Sequence, residues 1–285
     1  MGILLALVAL FSWGLGDFLI QKSTRRFGDW VALFYITAFG SIVLFPFVYK
    51  DIASSLSAHG ALLLIASVVI LFAGLLDFEA LRIGKISVIE PMYALEIPIA
   101  AVLAAYVIHE QLSVLQIILI AILMVGIFLI STTSFNSLKK IRAERGVWQA
   151  LFATVGIGVV NFLFGVGARE TSPFMINWFT SVFIAIVALV YLTSTSQMKD
   201  ISDSLKGEKL LILGVSFFDN LAWVAFSYAM LFIPIAIATG ISEGYIAFAG
   251  TLGLAFNKER LGRHQWIGFS LVIISIVLLA LITDR

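Results

Sequence analysis

Seven carboxylates stand inside apolar stretches of this sequence: Asp17, Asp77, Glu79, Glu90, Glu96, Asp219 and Glu243. No Lys or Arg stands deep in the same stretches. A charged side chain at the centre of a bilayer costs at least about 2.5–3.5 kcal/mol on insertion scales, so such groups commonly bind, pair or carry protons. Glu96, Asp219 and Glu243 each lie about ten residues into a stretch and so share one depth. Asp17, Asp77 and Glu90 lie nearer an end, and Glu79 lies at one. Trp13 precedes Asp17 by four residues, Trp223 follows Asp219 by four and Tyr93 precedes Glu96 by three. On helices these spacings put acid and ring on one face. An acid beside an aromatic face attracts an organic cation by charge and by cation–π interaction. The candidate substrate- or proton-binding set is therefore Glu96, Asp219, Glu243, Asp17, Glu90, Trp13, Tyr93 and Trp223. Asn161, Asn177, Asn220, Ser216, Thr239 and Ser242 could add polar contacts, and Gly240 and Gly244 give the helix of Glu243 a thin face for ligand or helix movement.

Each of these has a plainer reading. A buried carboxylic acid can keep its proton and bond to a neighbouring helix, and in a chain that is 13% aromatic such spacings also arise by chance. Glu79 is three residues from Arg82, so an ion pair at a helix end is expected, and Asp77 could pair with Arg82 or Lys85. His59, His109 and His264 show no metal-ligand spacing. Cysteine is absent, which removes disulfides, thiolate metal sites and thiol nucleophiles. No HExxH, Gly-x-Ser-x-Gly or Walker A pattern is present, so neither an intramembrane enzyme nor direct use of ATP is indicated. No cofactor or metal is expected.

The elements that hold these acids must be membrane helices. The 285 residues are 61% hydrophobic and 12% charged, with a mean hydropathy of +1.08. Soluble domains run about 45–50% apolar and about 25% charged. A net charge of +1 offers no basic face to nucleic acid. Ten apolar stretches read as spans: 3–22, 30–49, 61–81, 86–108, 113–131, 147–168, 174–193, 209–231, 233–256 and 264–283. Each suffices for roughly 30 Å of hydrocarbon as a helix, and none alternates as a barrel strand would. Short polar connections join them, the longest being 132–146 and 194–208. The first stretch lacks a basic leader and a cleavage pattern, so it reads as a retained helix. Pro173 and Pro234 fall at helix starts, where a missing N–H costs little. Pro91 and Pro98 lie inside the fourth stretch, which should be kinked or locally opened.

The halves repeat. Gly2, Ala6, Leu7, Ala9, Gly14, Phe18 and Leu19 recur 144 residues later, and Ala80, Ile86, Glu110, Leu112, Gln116 and Ile118 recur 149 residues later. The polar matches weigh most: Glu-x-Leu-x-x-x-Gln stands at 110–116 and again at 259–265, each time just after a helix end. Five spans per copy is an odd number, so the second copy enters the membrane from the opposite side, as in inverted-repeat carriers with a midplane site. The expected fold is all-α and integral to the membrane, with ten transmembrane helices in two inverted five-helix repeats, 1–131 and 147–285, joined by a cytoplasmic loop at 132–146.

This layout, the duplicated Glu-x-Leu-x-x-x-Gln and the opening Ser12-Trp13-Gly14 resemble the EamA-like transporters of the drug/metabolite transporter superfamily. The resemblance covers essentially the whole chain. It implies secondary transport of small organic metabolites or drugs, often export, without fixing the substrate.

Of eighteen Lys and Arg residues, only Lys50, Arg169 and Arg285 fall on the face that holds both termini. The other fifteen crowd the opposite face, with each half biased alike. The positive-inside rule makes that crowded face cytoplasmic. Both termini are therefore expected outside a multi-pass cell-membrane protein, whereas members of the resembled family usually keep both termini in the cytoplasm. The base-free, acid-rich interior favours amines, cations or zwitterions over phosphorylated solutes, which would need Lys or Arg in the cavity. Proton antiport is compatible with the carboxylates, which are disfavoured as charges by burial. The expected partners are a small organic solute, protons and the lipid bilayer, with the chain working as a monomer or weak dimer. A channel or non-transporting membrane protein is the alternative reading, and an intramembrane enzyme comes last.

Overall fold

A computed structural model describes residues 1–84, 89, 92–132, 146–248 and 262–283. Its helices are α1 (Gly2–Phe27), α2 (Asp29–Val48), α3 (Ile52–Ile83), α4 (Glu96–Val107), α5 (Val114–Ser131), α6 (Val147–Glu170), α7 (Pro173–Ser194), α8 (Met198–Gly207), α9 (Lys209–Ala229), α10 (Ile235–Glu243) and α11 (Arg263–Thr283). Among the described residues, seven of these helices are long and apolar enough to cross a membrane, and three shorter apolar ones accompany them. Large apolar side chains such as Phe18, Ile42, Phe72, Phe152 and Leu281 are exposed on the outside. An apolar surface of this extent suits lipid rather than water.

Local chemistry sets the helix ends. Ser113 accepts the Gln116 N–H at 3.2 Å while Gln116 accepts the Ser113 N–H at 2.9 Å, a reciprocal cap for α5. Gln265 repeats half of this device, accepting the Gly262 N–H at 2.8 Å ahead of α11. The Gln of the duplicated motif is thus a helix cap in both halves. Pro173 opens α7, where Ser172 accepts the Met175 N–H at 3.0 Å.

Helix packing follows the duplication. The principal neighbours are α1 with α9, α3 with α6, α2 with α7, and α5 with α11. Next come α4 with α6, α1 with α10, α2 with α9, α3 with α7, and α4 with α10. Exchanging the halves (α1 for α6, α2 for α7, α3 for α9, α4 for α10, α5 for α11) maps this set onto itself. Small residues permit the closest crossings, as membrane helices require. A Cβ on Gly268 of α11 would lie 2.6 Å from the Gly126 carbonyl oxygen of α5.

The fourth stretch, read as 86–108 and expected to kink or open, is helical at Met92 and Tyr93, turns at Ala94 and Leu95, and resumes as α4 at Glu96. His59 sits inside the 32-residue α3 at a kink (φ −127°). One expectation changes. The polar connection 194–208 contains α8, docked by the Tyr35 hydroxyl donating to the Ile201 carbonyl. Its ten residues are too polar on average to register as a span, but Ile201 packs with Val31, Tyr35, Leu192 and Ile212. Residues 249–256 of the ninth stretch and most of 132–146 lie outside the described residues.

Candidate functional site

A cavity of about 120 Å³ lies between the two halves. That is room for several waters at about 10–15 Å³ each. Asp17, Asp77, Glu96, Asp219 and Glu243 line it, and among the described residues its lining contains no Lys, Arg or His.

One wall comes from the antiparallel crossing of α1 and α9. Gly16 has no side chain, and a Cβ there would lie 3.9 Å from the Asp219 backbone nitrogen, so the adjacent Asp17 and Asp219 enter the cavity as neighbours. One turn along, Trp13 meets Trp223 edge to face, with ring centroids 5.2 Å apart at 85°. Phe164 lies 4.8 Å from Trp223 and backs this aromatic wall. The result is a rung of carboxylates beside a rung of indoles, about 6 Å apart along the helix axis.

The opposite wall is built at two helix breaks. Glu96 begins α4 and Glu243 ends α10, and both are buried. Both carboxyls line the cavity where α4 and α10 pack together. Asn161 Nδ2 donates to Glu96 Oε2 at 3.3 Å. Beside this pair, the Tyr93 hydroxyl donates to Asp77.

The remaining amide and threonine donors of the lining are committed elsewhere. Asn177 Nδ2 reaches Pro173 O at 2.7 Å and Ser227 Oγ at 2.8 Å. Asn220 Nδ2 reaches Ile36 O at 2.9 Å and Ser216 O at 2.8 Å. Thr37 donates to Leu33 O at 2.7 Å and Thr180 to Ile176 O at 2.8 Å. Acceptors are not used up in the same way: Asn161 Oδ1 is buried without a donor, and among the described residues no donor reaches the Asp219 carboxylate.

Repeat-equivalent positions line the cavity from both sides. At the first offset these are Trp13 with Ile157, Asp17 with Asn161, Ile20 with Phe164 and Leu33 with Asn177; at the second they are Ile70 with Asp219 and Gly74 with Trp223. The backbone frame is duplicated, while the chemistry on it has diverged.

The structure brings seven of the eight sequence-derived candidates to this cavity: Trp13, Asp17, Tyr93, Glu96, Asp219, Trp223 and Glu243. Glu90 lies outside the described residues. Asp77, left off the candidate set because Arg82 and Lys85 were its expected partners, bonds to Tyr93 and faces the cavity. Its depth was the signal that could have included it. Arg82 is engaged by Glu79, and by Asp29 at 3.2 Å. Gly244, expected to open a thin face for ligand or movement, packs instead against Leu10 and Ile276, where a Cβ would come within 2.9 Å and 2.7 Å. Glu110 accepts from Arg169 at 2.9 Å and from the Ile235 N–H at 2.8 Å. That geometry joins the end of α6 to the start of α10, away from the cavity. Its counterpart Glu259 is outside the described residues. Among the described residues no His, Cys, Asp and Glu group has metal-binding geometry.

Comparisons agree with the architecture. An uncharacterized protein of Haemophilus influenzae (strain ATCC 51907 / DSM 11121 / KW20 / Rd) is 25% identical over 169 residues, which are 59% of this chain and 57% of that protein. The chain thus matches somewhat more than half the length of this relative. A protein crystal structure superposes with a TM-score of 0.70, covering 100% of this chain and 98% of the other at 14% identity, a likeness of fold alone. The EamA-like transporter family profile matches residues 1–132 and again 144–281. With both halves matched and nearly the whole length covered, the chain belongs to the EamA-like transporter family.

Proposed function

We propose that this protein is a secondary transporter, an exporter or exchanger, of small organic solutes biased to amines, cations or zwitterions. The observation that carries the reading is a cavity between two repeated halves that, among the described residues, gathers five carboxyls and no basic side chain. Solute enters that cavity, and rocking of one half against the other exposes it to each side in turn. The self-mapping helix contacts support ten spans in two inverted repeats. The buried Glu96 and Glu243, both facing the cavity, support proton exchange as the driving reaction, with a carboxyl proton released on one side and regained on the other. Basic residues crowding one face support a multi-pass cell-membrane protein with both termini outside.

Proteoliposome counterflow tests the reading. Saturable exchange of a labelled amine, trans-stimulated by unlabelled amine, is the expected result. Conductance without saturation would make the protein a channel, and absence of flux for amines, cations and zwitterions alike would remove the carrier reading.

A further inference from the structure

The polar groups of the cavity differ in what they still lack. Its amide and threonine donors are bonded within the protein. Asn161 Oδ1, on a residue only 2% exposed, is an acceptor with no donor, and among the described residues no donor reaches Asp219 on the neighbouring helix wall. An unmatched buried acceptor is costly, so a ligand that supplies N–H groups here offsets that cost. One helical turn away, Trp13 and Trp223 offer ring faces and edges to an apolar body.

We propose that the preferred solute is a primary or secondary ammonium with an aromatic or apolar body and no carboxylate. Its N–H groups go to Asp219, Asp17 and Asn161, and its body goes to the Trp13–Trp223 wall. This deepens the carrier reading, on which it rests, by separating three kinds of charged solute. A quaternary ammonium has the charge but no N–H, and leaves the Asn161 oxygen unmatched. An amino-acid zwitterion brings a carboxylate that meets acids and finds the lining amides already bonded. A neutral alcohol supplies one donor but no charge. Glu96 stands apart, since Asn161 Nδ2 already serves it.

The test is calorimetric binding to the detergent-solubilised full chain, with phenethylamine, its N,N,N-trimethyl derivative, phenylalanine and 2-phenylethanol as probes. Phenethylamine should bind about tenfold or more tighter than each of the other three. Asp219→Asn should erase most of that margin, and Trp223→Leu should weaken phenethylamine while retaining the margin over the alcohol. Because the four-probe comparison is made on the unaltered protein, a variant that fails to fold does not blunt it. Equal or tighter binding of the quaternary amine, the zwitterion or the alcohol overturns the proposal, as does absence of binding by any of the four. Counterflow separates the two levels. Amine-selective binding without transport would remove the carrier reading and keep the site, whereas transport with no preference for N–H cations would do the reverse.

Discussion

Arg25 and Arg169 hold equivalent places in the two halves and grip equivalent carbonyls at opposite ends of the bundle. Arg25 Nη2 reaches Leu81 O at 3.5 Å and Gly84 O at 3.2 Å. Arg169 reaches Met230 O at 2.9 Å and Ile233 O at 3.5 Å. The arginines are 144 residues apart, and each pair of carbonyls 149. Each guanidinium thus satisfies backbone acceptors where a helix of its own half runs out.

At Arg169 the grip extends through Glu110 to the first N–H of α10. Glu110→Ala should lower stability by about 1–3 kcal/mol, because it strands the Ile235 N–H and one guanidinium arm. Glu110→Gln should cost less, since its amide oxygen still accepts from Ile235. Thermal unfolding in detergent measures both, and an Ala variant melting with the unaltered protein would show the clamp to be energetically idle.

Glu243→Gln tests proton exchange at the cavity carboxyls. The amide keeps the size and hydrogen-bonding capacity with no proton to exchange. The variant should lose uptake driven by a pH gradient while retaining solute counterflow, measured in proteoliposomes at fixed membrane potential. If Glu243→Gln and Glu96→Gln both keep wild-type pH-driven rates, the pair is structural.

The crossing of α5 and α11 has no room for a methyl group. A Cβ on Gly268 meets the Gly126 carbonyl oxygen and, at 2.9 Å, the Ile130 backbone nitrogen. These are main-chain atoms, so the helices must separate. Gly268→Ala should destabilise by about 1–3 kcal/mol, visible as a lowered unfolding midpoint, whereas Gly60→Ala, with open space around its Cβ position, should melt as the parent does.

The division of basic residues gives a topology experiment. A C-terminal fusion to a reporter active only in the cytoplasm should be silent, and one active only outside should be bright. Strong cytoplasmic activity from a transport-competent fusion would reverse the assignment.

How far the sequence alone reached depends on the kind of interaction involved. Membrane helices were legible because hydrocarbon demands long unbroken apolar runs, and the duplication was legible because Glu110, Gln116 and their later copies are polar residues that such runs rarely hold. The depth of Glu96, Asp219 and Glu243 followed from counting along helices with a fixed rise. What counting along one helix does not contain is rotation and partnership between helices. Only packing turned Asp77 from Arg82 toward Tyr93, brought Glu96 and Glu243 to one cavity, and set Gly244 against Leu10 and Ile276. Helix α8 also escaped, because its amphipathic turns gain their stability from Tyr35 and Ile201 rather than from hydropathy. Local periodicity reports which residues leave water. Which residues then meet is decided by the crossing of helices far apart in the chain, where a missing Cβ or a single hydrogen bond selects one contact over another.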